Sequence, residues 1–146
     1  MLTILGQRHV AIDAQNLCAF LDSLVGLQVG EVIMHNLEFR LGKINAARLR
    51  TEKPEATVQQ LVDILVKSDS LSGIGVTKLT FTENPSTAID IEITNPAVRS
   101  QTGSARSFVF SWWAGALAAL LGKELDLKNV EYVKESNTIR CRIVPR

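Results

Sequence analysis

Hydrophobic positions recur along this chain first with a helical period and then with the period of a strand, and that change sets the expected architecture. Leu2 to Ile12 is a short apolar lead-in suited to an extended segment. Asp13 is placed to cap a first helix, with Leu17, Cys18, Phe20, Leu21 and Leu24 as its apolar positions and an end near Gly26. A second helix is expected from Gln28 to Arg50, where Val29, Val32, Ile33, Leu37, Leu41 and Ile44 recur at intervals of three and four and predict one buried face. Gly30 and Gly42 each cost about 1 kcal/mol against alanine inside a helix, so close packing is expected there, with a break near Gly42 as the alternative. The third helix is predicted to open at Pro54 and Glu55, to turn Val58, Leu61, Val62 and Leu65 inward, and to stop between Asp69 and Gly73.

The period then falls from 3.6 to 2. Thr77, Leu79 and Phe81 share one side of a strand, ENPST makes a turn, and Ile89, Ile91 and Ile93 alternate with Asp90, Glu92 and Thr94, a half-buried antiparallel hairpin. A loop from Asn95 to Gly103 leads into Ser104 to Gly122, which carries no charge between Arg106 and Lys123 and holds both tryptophans. A membrane span needs roughly 20 such residues, so this run predicts a helix buried in its own domain. Its small residues, Ser104, Ser107, Ser111, Ala114, Gly115 and Ala118, form one stripe where a neighbouring backbone can come close. Trp113 points away from that stripe, and Phe108 and Trp112 share a flank. A strand from Leu125 to Val133, a turn at Lys134 to Asn137 and a last strand with Ile139, Cys141 and Ile143 inward complete the pattern. The expected fold is α/β (α+β): an antiparallel sheet of about four strands with helices packed on it, in the order ααα-ββ-α-ββ.

Composition narrows the function more than the fold. A length of 146 residues predicts one domain, 1–146, large enough for its own core. Lys and Arg number 16 against 15 Asp and Glu, so no net field draws nucleic acid or an anionic membrane. The local basic cluster Arg40, Lys43, Arg48, Arg50 and Lys53 reads as a solvated helix face. Two cysteines without a CxxC pair, and an N-terminus lacking the pattern of a secretory leader, lead us to expect a reduced, cytoplasmic protein.

Candidate chemistry is sparse. Glu31, His35 and Glu38 share one helical face in a spacing a carboxylate-bridged metal site could use, but no second matching set occurs, and a surface ion-pair row is favoured. Gly73 and Gly75 precede a strand, so no nucleotide fingerprint is present, and no nucleophile elbow, P-loop or zinc-protease motif appears. No catalytic residue is assigned. Cys18 and Cys141 fall at inward positions, where cysteine behaves as a small hydrophobe, with an acyl-accepting or redox role the alternative for Cys18 and a remnant metal role for Cys141. Trp112 and Trp113 are core residues or the wall of a cavity for a flat, greasy ligand.

The hairpin ending ITNPAV (Ile93 to Val98), the run FVFSWWAGALAALLGKEL (Phe108 to Leu125), the closing RCRI (Arg140 to Ile143) and an LGK at Leu41 to Lys43 together carry a family likeness. From Gln28 onward, and most strongly after Asn95, the chain resembles the 4-vinyl-reductase-type small-molecule-binding domain, which is related in fold to the core subunits of the TRAPP vesicle-tethering complex. Members of that family often carry a cysteine and a histidine at the start of the central helix and two cysteines around the last hairpin's turn. Here Phe108 to Ser111 occupy the helix start, Val133 stands where the first turn cysteine would fall, and Cys141 alone remains. One thiolate does not make a four-coordinate site, so no metal is expected to carry over. The resemblance implies the fold, dimerisation and a ligand pocket.

The leading expectation is therefore a non-catalytic domain that binds a hydrophobic small molecule between helix and sheet, as a homodimer, through Phe108, Trp112, Trp113 and, more remotely, Cys18. A rival from another class is an assembly subunit without a ligand that pairs through the helix Gln28 to Arg50, with Leu37 and Leu41 central. A third, an accessory role in tetrapyrrole metabolism, is implied by the family name alone. No cofactor is indicated.

Overall fold

A computed structural model describes residues 2–4, 7–9, 16, 19, 20, 23, 28–82, 88–96 and 109–146. Strands β1 (Leu2–Ile4) and β2 (Gln7–His9) pair as a small antiparallel hairpin within the expected extended lead-in. Asn16, Ala19, Phe20 and Ser23 are helical where the first helix is predicted, whereas Leu17, Cys18, Leu21 and Leu24 lie outside the described residues. Then follow α1 (Gln28–Glu52), α2 (Val58–Leu71), β3 (Val76–Phe81), β4 (Ile89–Thr94), α3 (Val109–Leu121), β5 (Leu125–Val133), a 3-10 turn (Lys134–Ser136) and β6 (Thr138–Pro145). The fold is α+β, as the periodicity predicts.

The four long strands form one antiparallel sheet in the order β3-β4-β6-β5, so the two hairpins meet where β4 runs beside β6. Period-2 patterning decides the faces. Thr77, Ile89, Ile91, Ile93, Leu125, Ile139, Cys141 and Ile143 are buried on the inner face, and Asp90 and Glu92 meet Arg142 and Arg140 on the outer one. Asn95 and Asn137 both adopt left-handed backbone, with φ of 51° and 46°, and tie the ends of β4 and β6 together: Asn95 N–H donates to the Asn137 carbonyl at 2.9 Å. Between Lys128 and Glu131, β5 carries one residue more than β6 opposite it, a bulge with Asn129 at φ 51°.

Helix α3 fills the interior. Phe110, Trp113, Ala116 and Leu117 are wholly buried, and Ala114, Ala118 and Leu120 nearly so. Its small stripe does what small residues permit: α3 and α1 cross at backbone contact. A Cβ on Gly115 would lie inside the Phe39 carbonyl and 3.0 Å from Phe39 Cα, and one on Gly42 would overlap the Trp112 carbonyl and come 2.9 Å from Ala116 N.

Two expectations need correction. The apolar stripe of α1 is not its buried face: Val32, Ile33, Leu37, Leu41 and Ile44 are between 41% and 62% exposed. What α1 buries is Gly30, Gly42, Ala46 and Leu49, and at Gly42 the missing side chain lets the backbone itself make the contact with α3. Pro54 does not open the next helix either. It lies in the turn after α1, and Thr57 caps α2: the Thr57 hydroxyl accepts from Gln60 N–H at 3.2 Å, and Gln60 Oε1 accepts from Thr57 N–H at 2.8 Å. That reciprocal pair satisfies two end donors at once, which a proline cannot do.

Candidate functional site

The polar groups buried beside the tryptophans gather on the two sides of α3. On the side facing α1, Ser111 belongs to the small stripe and is buried, and its hydroxyl shares a hydrogen bond with Nδ1 of His35, which is half-buried on α1. The pair is held by the crossing itself, since Gly42 lies two turns beyond His35 on the same face. Glu38, one turn from His35, is half-buried, and burial raises its carboxyl above the usual range. Lys43 Nζ stands 5.5 Å from the ring centre of Phe39 and 3.8 Å from Glu124.

On the sheet side, Trp113 is enclosed completely. Its indole N–H donates to Asp69 Oδ2 at 2.8 Å, and the Thr77 hydroxyl donates to the same oxygen at 3.1 Å. Asp69, near the C-terminus of α2, is 8% exposed. Burial pushes its carboxyl up to about 6, against the downward pull of those two hydrogen bonds. Trp113 is thereby a cross-link between α3, α2 and β3.

The two tryptophans that the sequence groups together are thus in different situations. Their rings meet edge to face, 5.3 Å between centres at 83°, but Trp113 has its polar atom satisfied in the core while Trp112 is only partly buried. Phe108 and Cys18 lie outside the described residues. Cys141 is buried on β6, and burial pushes its thiol up to about 12, so it stays protonated at neutral pH and is a poor nucleophile or ligand. Among the described residues no three His, Cys, Asp or Glu side chains gather closely enough to hold a metal.

The surface ion-pair row expected of Glu31, His35 and Glu38 needs correction: His35 is half-buried on Ser111 of the small stripe, and Glu38 is half-buried beside it. Asp69 has no role in the sequence reading, although signals for the inward placement of both His35 and Asp69 exist. His35 precedes Gly42 by seven residues, which places it on the close-contact face, and Asp69 continues the Leu61–Leu65 line at a further interval of four. Elsewhere, a groove of about 660 Å³ runs over the outer face of the sheet, lined by Lys78, Asp90, Glu92, Asn129, Arg140 and Arg142. Its charges are largely spent on each other. Arg140 donates to Glu92 at 2.7 Å, and Arg142 grips Asp90 with two hydrogen bonds of 2.7 and 3.0 Å, holding that carboxyl below its usual range. No described helix is long and apolar enough to cross a membrane.

No family model matches the chain, and no curated protein does. Among solved structures it is similar to the phenol-responsive sensory domain of the transcription activator PoxR, crystallised with phenol, at 15% identity over 97% of this chain and 79% of that one, with a TM-score of 0.73. A trafficking protein particle complex subunit 3 from Naegleria fowleri, covalently bound to palmitic acid, aligns at 11% identity over 91% of this chain and 95% of that one, with a TM-score of 0.49. At 15% identity the first likeness establishes a shared fold.

Proposed function

We propose that this chain is a cytoplasmic, non-catalytic domain that binds a small, largely apolar molecule beside α3, and that it works as a homodimer. The observation that carries the reading is the division of labour between the tryptophans. Trp113 is consumed by the core, whereas Trp112 is partly open, one residue from Ser111, whose hydroxyl bonds the half-buried His35. A flat apolar wall with one or two polar groups beside it is what a small aromatic ligand needs. The PoxR domain, which shares the fold, binds phenol, and this supports a ligand of similar class here. Burying about 200 Å² of such a ligand is worth about 5 kcal/mol before association costs, so apolar burial alone supports an affinity of roughly millimolar, and anything tighter must come from the polar groups beside it.

The test is a titration of tryptophan fluorescence with phenol, fatty acids and porphyrins. One class should give a saturable change, and Trp112→Leu should weaken that binding about tenfold or more while Trp113 remains as reporter. A flat response to every class overturns the reading. The rival, an assembly subunit with no ligand, is favoured by the open apolar face of α1. It predicts that flat response together with a stable oligomer.

A further inference from the structure

We infer that the molecule bound beside α3 is a protonated amine carried on a small apolar or aromatic body, its ammonium group received by the Glu38 carboxylate beside the Trp112 ring. This rests on the ligand-binding reading above and names the chemical class that the site takes. His35 meets Ser111 and Phe39 meets Gly115, so α1 and α3 run side by side, in the same direction and in step. Gly42 lies against the Trp112 carbonyl and Ala116 N. Glu38 precedes Gly42 by one turn, which sets it on that same flank of α1, and Met34 and Asn45 continue the flank in either direction. Val109, Trp112 and Ala119 follow one another along the matching flank of α3. All six are half-buried, and Glu38 is the charged one among them.

A carboxylate held partly out of water is normally answered by a cation or by hydrogen bonds. Glu38 has neither among the described residues, and burial is what raises its carboxyl. The cations of α1 are placed elsewhere. Lys43 Nζ is 3.8 Å from Glu124 and stands over the Phe39 ring. Arg40, two residues on from Glu38, lies about 200° round the helix from it and is exposed. Helix α3, from Val109 to Leu121, brings no charged side chain at all. The seam between the helices therefore carries one negative charge that its own described side chains leave uncompensated. An ammonium group answers it with a charge-assisted hydrogen bond, and the indole of Trp112 attracts the same cation through the negative face of its ring. A neutral hydroxyl donates to Glu38 but leaves the charge in place, and a carboxylate ligand meets a like charge.

Benzylamine, benzyl alcohol and benzoate share one ring and differ in charge, so tryptophan fluorescence titrated with each near neutral pH tests this. Benzylamine should bind about tenfold or more tighter than benzyl alcohol, with benzoate the weakest of the three. Glu38→Gln keeps the size and removes the charge. It should abolish the preference, so that benzylamine and benzyl alcohol bind alike, and it should melt no lower than wild type. Benzyl alcohol binding as tightly as benzylamine, or a preference for benzylamine that survives in Glu38→Gln, overturns the inference and leaves the ligand-binding reading standing. Tightest binding by benzoate does the same, and would mean that the first-turn amides of α3 choose the charge. Glu38→Gln melting well below wild type would show that the carboxylate already has its partner, and also overturns the inference. A flat response to all three compounds overturns it too, and the reading above falls with it only if phenol, fatty acids and porphyrins are flat as well.

Discussion

At the scale of single residues, Asp69 is a carboxyl buried in the core, 8% exposed. A carboxyl ordinarily near 3.8 is held up to about 6 by burial, so the fold favours its protonated form. That contribution is fully present below pH 3.8 and is lost as pH rises through about 6, so stability should fall across that window by up to about 3 kcal/mol. Asp69→Asn keeps an oxygen for the Trp113 and Thr77 donors and removes the charge. Urea melts at pH 5 and pH 7.5 should show the wild-type difference shrinking in the variant, with the variant more stable by about 1–3 kcal/mol at pH 7.5. A variant less stable at the higher pH would show instead that the ionised carboxylate is favoured there. The inward residues of the strands, Cys141 included, were legible from alternation alone. Asp69 was not, because its burial is decided by Trp113, 44 positions away, and an acid near a helix end reads locally as solvated.

At the scale of elements, the α1–α3 crossing depends on two missing side chains. Gly42→Ala or Gly115→Ala forces a methyl into a neighbouring backbone that has no rotamer with which to yield, at a cost of about 3 kcal/mol or more. Gly122→Ala is the control. Open space surrounds it, and its φ of 65° costs about 1 kcal/mol. Thermal melts of the three should rank accordingly, and equal losses would mean that the crossing carries no special constraint. The small stripe of α3 announced such an approach in the sequence, and the glycines of α1 marked it from the other side. The orientation of α1 was hidden, because periodicity locates an apolar stripe without saying what covers it. A contact made by backbone leaves no hydrophobic signal of its own.

At the scale of the molecule, two sequence-local hairpins become one sheet only through the β4–β6 pairing, with Ile89 opposite Ile143 and Ile93 opposite Ile139. These central strands carry α3 on their apolar side and have a paired neighbour on both edges. Their amides should open only with global unfolding. Hydrogen exchange should therefore be slowest at Ile91, Ile93, Ile139 and Cys141 and faster along β3 and β5. Uniform protection across the four strands would contradict that hierarchy. The element order and the faces of the sheet followed from the change of period, since each strand's pattern is contained in its own residues. The strand order could not, because it is set by which hairpin edges meet after the chain has passed through α3.

The extra residue in β5 has a consequence for the molecule's behaviour in a crowded solution. Among the described residues β5 has a paired neighbour on one side only, which would offer a continuous template to any foreign strand. With Asn129 turned left-handed and the ladder slipped by one position, the outer row of amides and carbonyls is broken near its middle. A strand arriving from another molecule finds only short stretches in phase with its own repeat. The kink therefore protects against fibrous stacking at the rim of the sheet.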